Sequence, residues 1–236
     1  MDTGVYTTLT RQSGLMQEMQ VVAHNIANIS TTGFRREGVI FAEYVQKTGG
    51  GPSVSMGVAS GRHMDMRQAG LDQTGGSFDF AIEGEGFFLV ETPQGQGLTR
   101  AGSFMPNAEG ELVNADGNRL LDSGGAPVFV PPDAGDVALA TDGTLSARGI
   151  PLARLGLWQP TDPLNMTRQG GTVFTTGTVE PSESTRILQG FVEESNVNPI
   201  SEIARMIEVQ RAYEMGQGFM EKEDERMRGV IRTLGQ

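Results

Sequence analysis

The chain reserves its heptad patterns for its two ends. Among the first 30 residues, Val5, Met19 and Ile26 share one seven-residue spacing, with the polar Gln12 at the remaining position. Leu9, Met16 and Ala23 share a second spacing, offset from the first by four. Such a 3-4 seam is the pattern of a helix that lies along another helix. Asp2 and Thr3 are suited to cap its start, and the Asn-, Ser- and Thr-rich run NIANISTTGF competes with helical hydrogen bonding at its end. A helix over 4–28 follows, and Gly33 is free to take positive φ just beyond it. At the other end, Met206, Tyr213, Met220, Met227 and Leu234 recur every seven residues, and Ile203, Ile207, Val230 and Ile231 widen the stripe. The preceding NVNP supplies an Asn cap and a first-turn Pro199, with Glu202 keeping negative charge near that end. The run Glu221–Arg226 reads as a solvated charged face.

Between these ends the pattern changes from seven to two. The 33 glycines and 11 prolines of this 236-residue chain suit a middle full of turns. Phe34, Val39, Ile40, Phe41 and Tyr44 anchor a short extended piece, GGGPS at 49–53 is a flexible turn, and 54–70 alternates weakly. From about 71 to 170, apolar runs of strand length recur every 8–12 residues: Phe78–Ile82, Gly86–Glu91, Leu98–Ser103, Glu111–Val113, Leu120–Leu121, Ala126–Val130, Val137–Ala140, Leu145–Ala147 and Leu152–Trp158. NADGN at 114–118 is a strong turn signal. Residues 171–195 read as an extended return leg. The segments expected are therefore an N-terminal helix (1–30), an extended link (31–70), a β domain (71–170), a return segment (171–197) and a C-terminal helix (198–236).

Composition narrows the function. Eighteen basic against 29 acidic side chains give a formal charge of −11, which argues against a nucleic-acid backbone or an anionic membrane as main partner. The absence of cysteine removes disulfides, thiolate metal sites and cysteine nucleophiles together. No window reaches the length of a membrane helix, so no direct membrane insertion is expected. The opening residues lack the basic start and apolar run of a cleaved signal. His24 and His63 have no companion ligand at metal spacing. No G-x-S-x-G or P-loop occurs, GEGFF at 84–88 is too short for a dinucleotide fingerprint, and NADGN lacks the acidic series of a calcium loop. Asn28-Ile29-Ser30 is a glycosylation sequon without a secretory context, and Glu83 and Glu85 lie in a solvated turn. No catalytic residue, cofactor or metal is expected, and the chain is not read as an enzyme. The two helices either pack on each other or serve contacts between molecules. A lone helix pair is marginal in water, and Met16, Met19, Met206, Met220 and Met227 give the stripes an adaptable surface, which favours contacts between molecules.

The terminal motifs add a resemblance. VVAHNIANISTTGFRRE at 21–37 resembles the signature of the bacterial flagellar axial proteins, the rod and hook family. Ala23, Asn25, Ile26, Ala27, Asn28, Thr31, Gly33, Phe34 and Arg35 carry the match, while His24 and Ser30 depart from it. In EESNVNPISEIARMIEVQRAYE, the residues Glu194, Ser195, Asn196, Val197, Asn198, Ile207, Gln210, Arg211, Ala212 and Tyr213 resemble the family's C-terminal signature. AIEGEGFFLV, LTRAGSF and GELVNADGNRLL look like its β domain. The total length and short 45–70 segment are similar to the rod members rather than the far longer hook protein.

The resemblance implies an α+β fold: a discontinuous coiled-coil domain from the N- and C-terminal helices plus a central all-β domain. It implies a structural subunit of the proximal part of the basal-body rod that assembles with proximal and distal rod subunits and with copies of itself into a helical tubular shaft transmitting motor torque to the hook. Export would run through the flagellar type III export apparatus, without a cleaved signal. Asn25 and Asn28 would bond backbone groups where the helix ends, and Gly33 and Phe34 would form and anchor the turn. Met206, Ile207, Gln210, Arg211, Tyr213, Met220 and Met227 would make contacts along the C-terminal helix. The alternatives are a distal rod subunit, a non-flagellar coiled-coil interaction protein, or a cell-wall glycan-binding or hydrolase module.

Overall fold

The helix-forming ends and the alternating middle separate in the computed structural model, which describes residues 3–46, 54–182 and 186–234. The expected Asp2 cap and the 49–53 turn lie outside these residues, as do the side chains of Thr3, Val5 and Leu234. The chain divides into two compact units. Unit 1 comprises residues 1–29, 36–65 and 197–236, and unit 2 comprises 30–35 and 66–196.

Unit 1 contains helix α1 (Thr3–Ala27), the antiparallel hairpin β1 (Glu37–Gln46) and β2 (Val54–Met64), and helix α2 (Pro199–Leu234). The segment expected to be a plain link is thus a long hairpin, with a bulge where Ile40 and Phe41 face Gly61 and Ala59 and leave Ser60 over. The two helices run antiparallel, because Asn25 meets Glu202, Glu18 meets Arg205 and Gln12 meets Tyr213. One stripe of α2 turns inward: Glu202 and Val209 are buried, and Met206, Tyr213, Gly216 and Met220 are half-buried. These positions alternate by four and three, so the expected Met206, Tyr213, Met220 series is one edge of the stripe. Its other edge, Glu202, Val209, Gly216 and Glu223, is too polar to be seen as hydrophobic periodicity.

Within one molecule the apolar seams of the two helices are covered only in part. Leu9 and Met16 are 57% and 48% exposed, and Ala23 is exposed, because α1 turns Gly14, Glu18, Val21, Val22 and Asn25 to its neighbours. Gly14 gives the ring of Phe41 room there: a Cβ would meet it at 2.9 Å and make it shift. Ile203, Ile207, Val230 and Ile231 do not widen a buried stripe and are all exposed.

Unit 2 is built from short antiparallel strands around an aromatic and aliphatic core. Strands β3 (Leu71–Gln73), β4 (Phe80–Glu83), β5 (Phe87–Thr92) and β6 (Gly95–Thr99) are followed by further strands as far as Glu193. The main sheet has β5 at its centre, paired with β6, Arg119–Leu120 and Leu157–Pro160. The expected return leg is woven into this unit: Val173–Thr175 pairs with β6, Arg186–Gln189 with β4, and Phe191–Glu193 with β3. The expected strand at 126–130 makes only isolated bridges, at Pro127 and Phe129, and Leu152–Trp158 splits into two strands. Phe80, Phe88, Phe104, Leu112, Leu120, Val128, Leu145 and Ile187 fill the core, with Phe88 edge-on to Phe104 at 5.8 Å. Turns repeat one device: the Asn107, Asn114 and Asp122 side chains each accept backbone N–H bonds from residues two and four further on. Thr144 bonds Asp142 in the same manner and holds its carboxyl below the usual range.

Truncating Phe88, which is 0% exposed, removes the ring against which Phe104 is set. Phe88→Ala should lower the stability of this unit by about 3–5 kcal/mol. Urea unfolding followed by fluorescence of Trp158, the chain's single tryptophan, measures it.

Candidate assembly site

Both signature stretches are built around buried carboxylates. In unit 1, α1 ends with Asn28 Nδ2 donating to the His24 carbonyl at 2.8 Å, which satisfies a helix-end acceptor. Asn25, one turn earlier, is fully buried. Its amide donates to the Glu37 carbonyl (2.8 Å) and accepts from the Glu37 N–H (3.0 Å), as a strand backbone would. The same Nδ2 reaches Glu202 Oε2 at 3.1 Å, and Arg36 Nε donates to Glu202 Oε1 at 2.5 Å. Glu202 lies in the first turn of α2, where the helix dipole favours its charge. Asn198 caps that helix, accepting the N–H groups of Ile200 and Ser201 at 3.0 and 3.1 Å.

In unit 2, Gly33 has φ of 69° and donates its N–H to the Glu193 carbonyl at 2.7 Å. A Cβ there would collide with the backbone of Arg100 and Ala101, so glycine is required on two counts. Phe34 is fully buried, with the Arg168 guanidinium 4.3 Å from its ring centre. Arg35 is also fully buried, and its Nη1 donates to Glu193 Oε1 at 2.6 Å. Glu193 accepts from the Ala69 N–H (2.9 Å) and from Arg100 Nη1 (3.1 Å). One carboxylate thus serves two buried guanidinium groups. Burial pulls the Arg100 pKa down to about 10, against the attraction of Glu193, and the repulsion of Arg35 adds to the lowering. Arg100 therefore remains cationic at neutral pH.

The remaining motif residues are dispersed. Thr31 accepts the Phe34 N–H through its carbonyl, and Asn196 donates from its side chain to the Arg67 carbonyl at 3.0 Å. Val197 is buried, Ile26 and Ser195 are half-buried, and Ala23, Ala27 and Glu194 are exposed. On α2, Met206, Tyr213 and Met220 are half-buried against α1, while Ile207, Gln210, Arg211 and Met227 face outward. The periodicity argument missed Gln12, Arg100, Glu193, Glu202 and Gly216. Gln12 was visible as a polar break in an apolar heptad. Its Nε2 donates to the Tyr213 carbonyl at 2.9 Å, and its side chain fills the space over Gly216.

Long helices from the two chain ends and a strand-built unit define an α+β protein. Three family models match in chain order: flagella basal body rod protein over residues 6–35, flagellar hook protein FlgE/F/G D1 domain over 81–147, and flagellar basal body rod FlgEFG protein C-terminal over 188–233. The chain is 37% identical to the flagellar basal-body rod protein FlgF of Caulobacter vibrioides, covering 100% of this chain and 99% of that protein. It is 26% identical to FlgG of Bacillus subtilis over 96% and 97% of the two chains. To the hook protein FlgE of Rhizobium meliloti it is 37% identical over 60% of this chain and 37% of that protein. This chain belongs to the flagellar basal-body rod protein family, with its FlgF-like members.

Replacing Glu193 leaves two guanidinium groups buried without a counter-charge. Glu193→Gln should cost about 3–5 kcal/mol of stability, whereas Glu194→Gln at the exposed neighbour should change it by less than about 0.5 kcal/mol. Gly33→Ala should also destabilise the fold, by roughly 1–3 kcal/mol for the strained backbone. Denaturant midpoints of the three variants test both statements.

Proposed function

We propose that this chain is a structural subunit of the proximal part of the flagellar rod, a shaft that carries motor torque across the periplasm to the hook. The observation that carries the reading is kinship over the whole length with FlgF proteins, at 35–37% identity, against 26–29% with FlgG proteins. The same figures favour the proximal over the distal rod. Unit 1 supports an assembling role independently. It leaves Leu9, Met16, Ile207, Met215, Val230 and Ile231 exposed, more apolar side chain than a solitary molecule has use for.

In this reading α1 and α2 form a discontinuous coiled-coil domain, and unit 2 is the all-β domain. The role is mechanical, not catalytic. The neighbours are copies of the chain and other axial proteins, the proximal and distal rod subunits among them. The chain reaches its place through the flagellar type III export apparatus without a cleaved signal. Asn25, Gly33 and Phe34 shape the end of α1 for this purpose, and Asn198 starts α2. Met206, Gln210, Arg211, Tyr213, Met220 and Met227 hold or present the face of α2. Each apolar side chain newly buried between subunits contributes about 1.5–3 kcal/mol, opposed by the entropy of ordering it.

A strain lacking the chain should build neither hook nor filament and should not swim. Normal swimming, or purified basal bodies from a wild-type strain that lack the chain, would overturn the proposal. Tyr213→Ala should reduce incorporation into basal bodies several-fold while the Trp158 fluorescence of the free chain stays native. Unaltered incorporation would remove Tyr213 from the set.

A further inference from the structure

The inward stripe of α2 is longer than the helix that covers it. Asn25 stands against Glu202 and Gln12 against Tyr213, so the first described residue of α1, Thr3, stands near residue 223 at equal rise along both helices (about 1.5 Å per residue). The stripe nevertheless continues in phase through Met227 and Val230, which are 42% and 46% exposed, and Ile231 beside them is 69% exposed. The charges flanking this ridge neutralise one another along the helix: Arg226 pairs with Glu223, and Arg228 Nη2 with Asp224 at 2.8 Å. Covering the ridge therefore buries apolar surface flanked by charges that are already paired.

The same unit holds an apolar groove of about 310 Å³ between its two helices, with Thr8, Gln12, Leu15, Ala212, Met215 and Phe219 among its walls. Gln12, whose side chain lies over Gly216, forms part of its wall. Met215 and Phe219, on its rim, are 69% and 48% exposed. The groove has an apolar lining, a single charged neighbour in Arg11, and room for a few aliphatic side chains.

We propose that the Met227, Val230, Ile231 ridge of one copy seats in the groove between α1 and α2 of a second copy. The occupant is another molecule of this chain because its ridge continues the stripe that α1 already recognises in each molecule. Ridge and groove are different surfaces, so the contact is head-to-tail and propagates instead of closing as a symmetric pair. The inference rests on the subunit reading above and adds which surface meets which.

The absence of cysteine makes the test direct. Met215→Cys and Ile231→Cys are placed together in the full-length chain and expressed in cells that lack the native copy. Both positions are mostly exposed, and the helical circular dichroism of the free chain should match the parent. Sixteen residues of helix separate them by about 24 Å, too far for a disulfide within one molecule. Mild oxidation of isolated basal bodies should give chains joined 215-to-231, identified by mass spectrometry of the linked peptides. Each single variant should give at least tenfold less dimer.

Joining only 215-to-215 or 231-to-231 would mean a symmetric contact and would overturn the proposal. So would incorporation without a 215-to-231 link. A photo-crosslinking residue at position 231 that captures a different axial protein and not a second copy would overturn it too. Absence of the parent chain from basal bodies would instead remove the subunit reading itself, so the two failures are distinguishable.

Discussion

Two buried carboxylates hold residues from opposite ends of the sequence. Glu193 binds Arg35 across a separation of 158 residues, and Glu202 binds Arg36 across 166. Closing loops of that length costs conformational entropy, though the cost grows only slowly with length. An ion pair buried for this purpose is a poor source of net stability, because desolvation cancels much of its attraction. Its value lies in what happens when the partner is missing: a buried guanidinium without a carboxylate is severely unfavourable, so mispaired chain ends are excluded. Everything else that ends at these residues, the close of α1, the Gly33 turn and the cap of α2, is set by that requirement.

Much of the fold was legible from the sequence because it depends on local rules. The cap at Asn198 and the first-turn Pro199 marked the start of α2, and the NADGN signal marked the Asx-type turn at Asn114. What was not legible depends on partners far away in sequence. Residues 173–193 carry few signals of their own and become strands because β3, β4 and β6 offer free edges. The heptad of α1 marked Leu9 and Met16 as an apolar seam, and within the molecule the core takes the face of Val21, Val22 and Asn25 and leaves that seam exposed. Periodicity records that a face is apolar; it does not record which molecule will cover it.

The signature residues divide by the same logic. Gly33 and the Asn198 cap could be assigned from conformational preference, and Asn25 and Phe34 from the family resemblance; the structure gives each a specific bond or a steric reason. Glu193 and Arg100 could not, since one acidic and one basic residue among 47 charged side chains announce nothing until the fold sets them 3.1 Å apart. The exposed methionines and isoleucines of α2 are the reverse case. They are plain in the sequence, but their meaning comes only from seeing that the chain leaves them uncovered.

The Gln12 amide over Gly216 acts as a key in a slot. Seams of purely apolar side chains are tolerant of sliding, because one aliphatic contact replaces another. Here a shift of one heptad, about 10 Å along the axis, would carry the amide to Val209 or Glu223 and away from the space over Gly216. The Tyr213 carbonyl contact would break, and a buried amide would lose its partner at a cost of about 1–3 kcal/mol, before any steric penalty. A helix pair loaded along its length is thereby held against axial creep by one polar side chain and one missing methyl group.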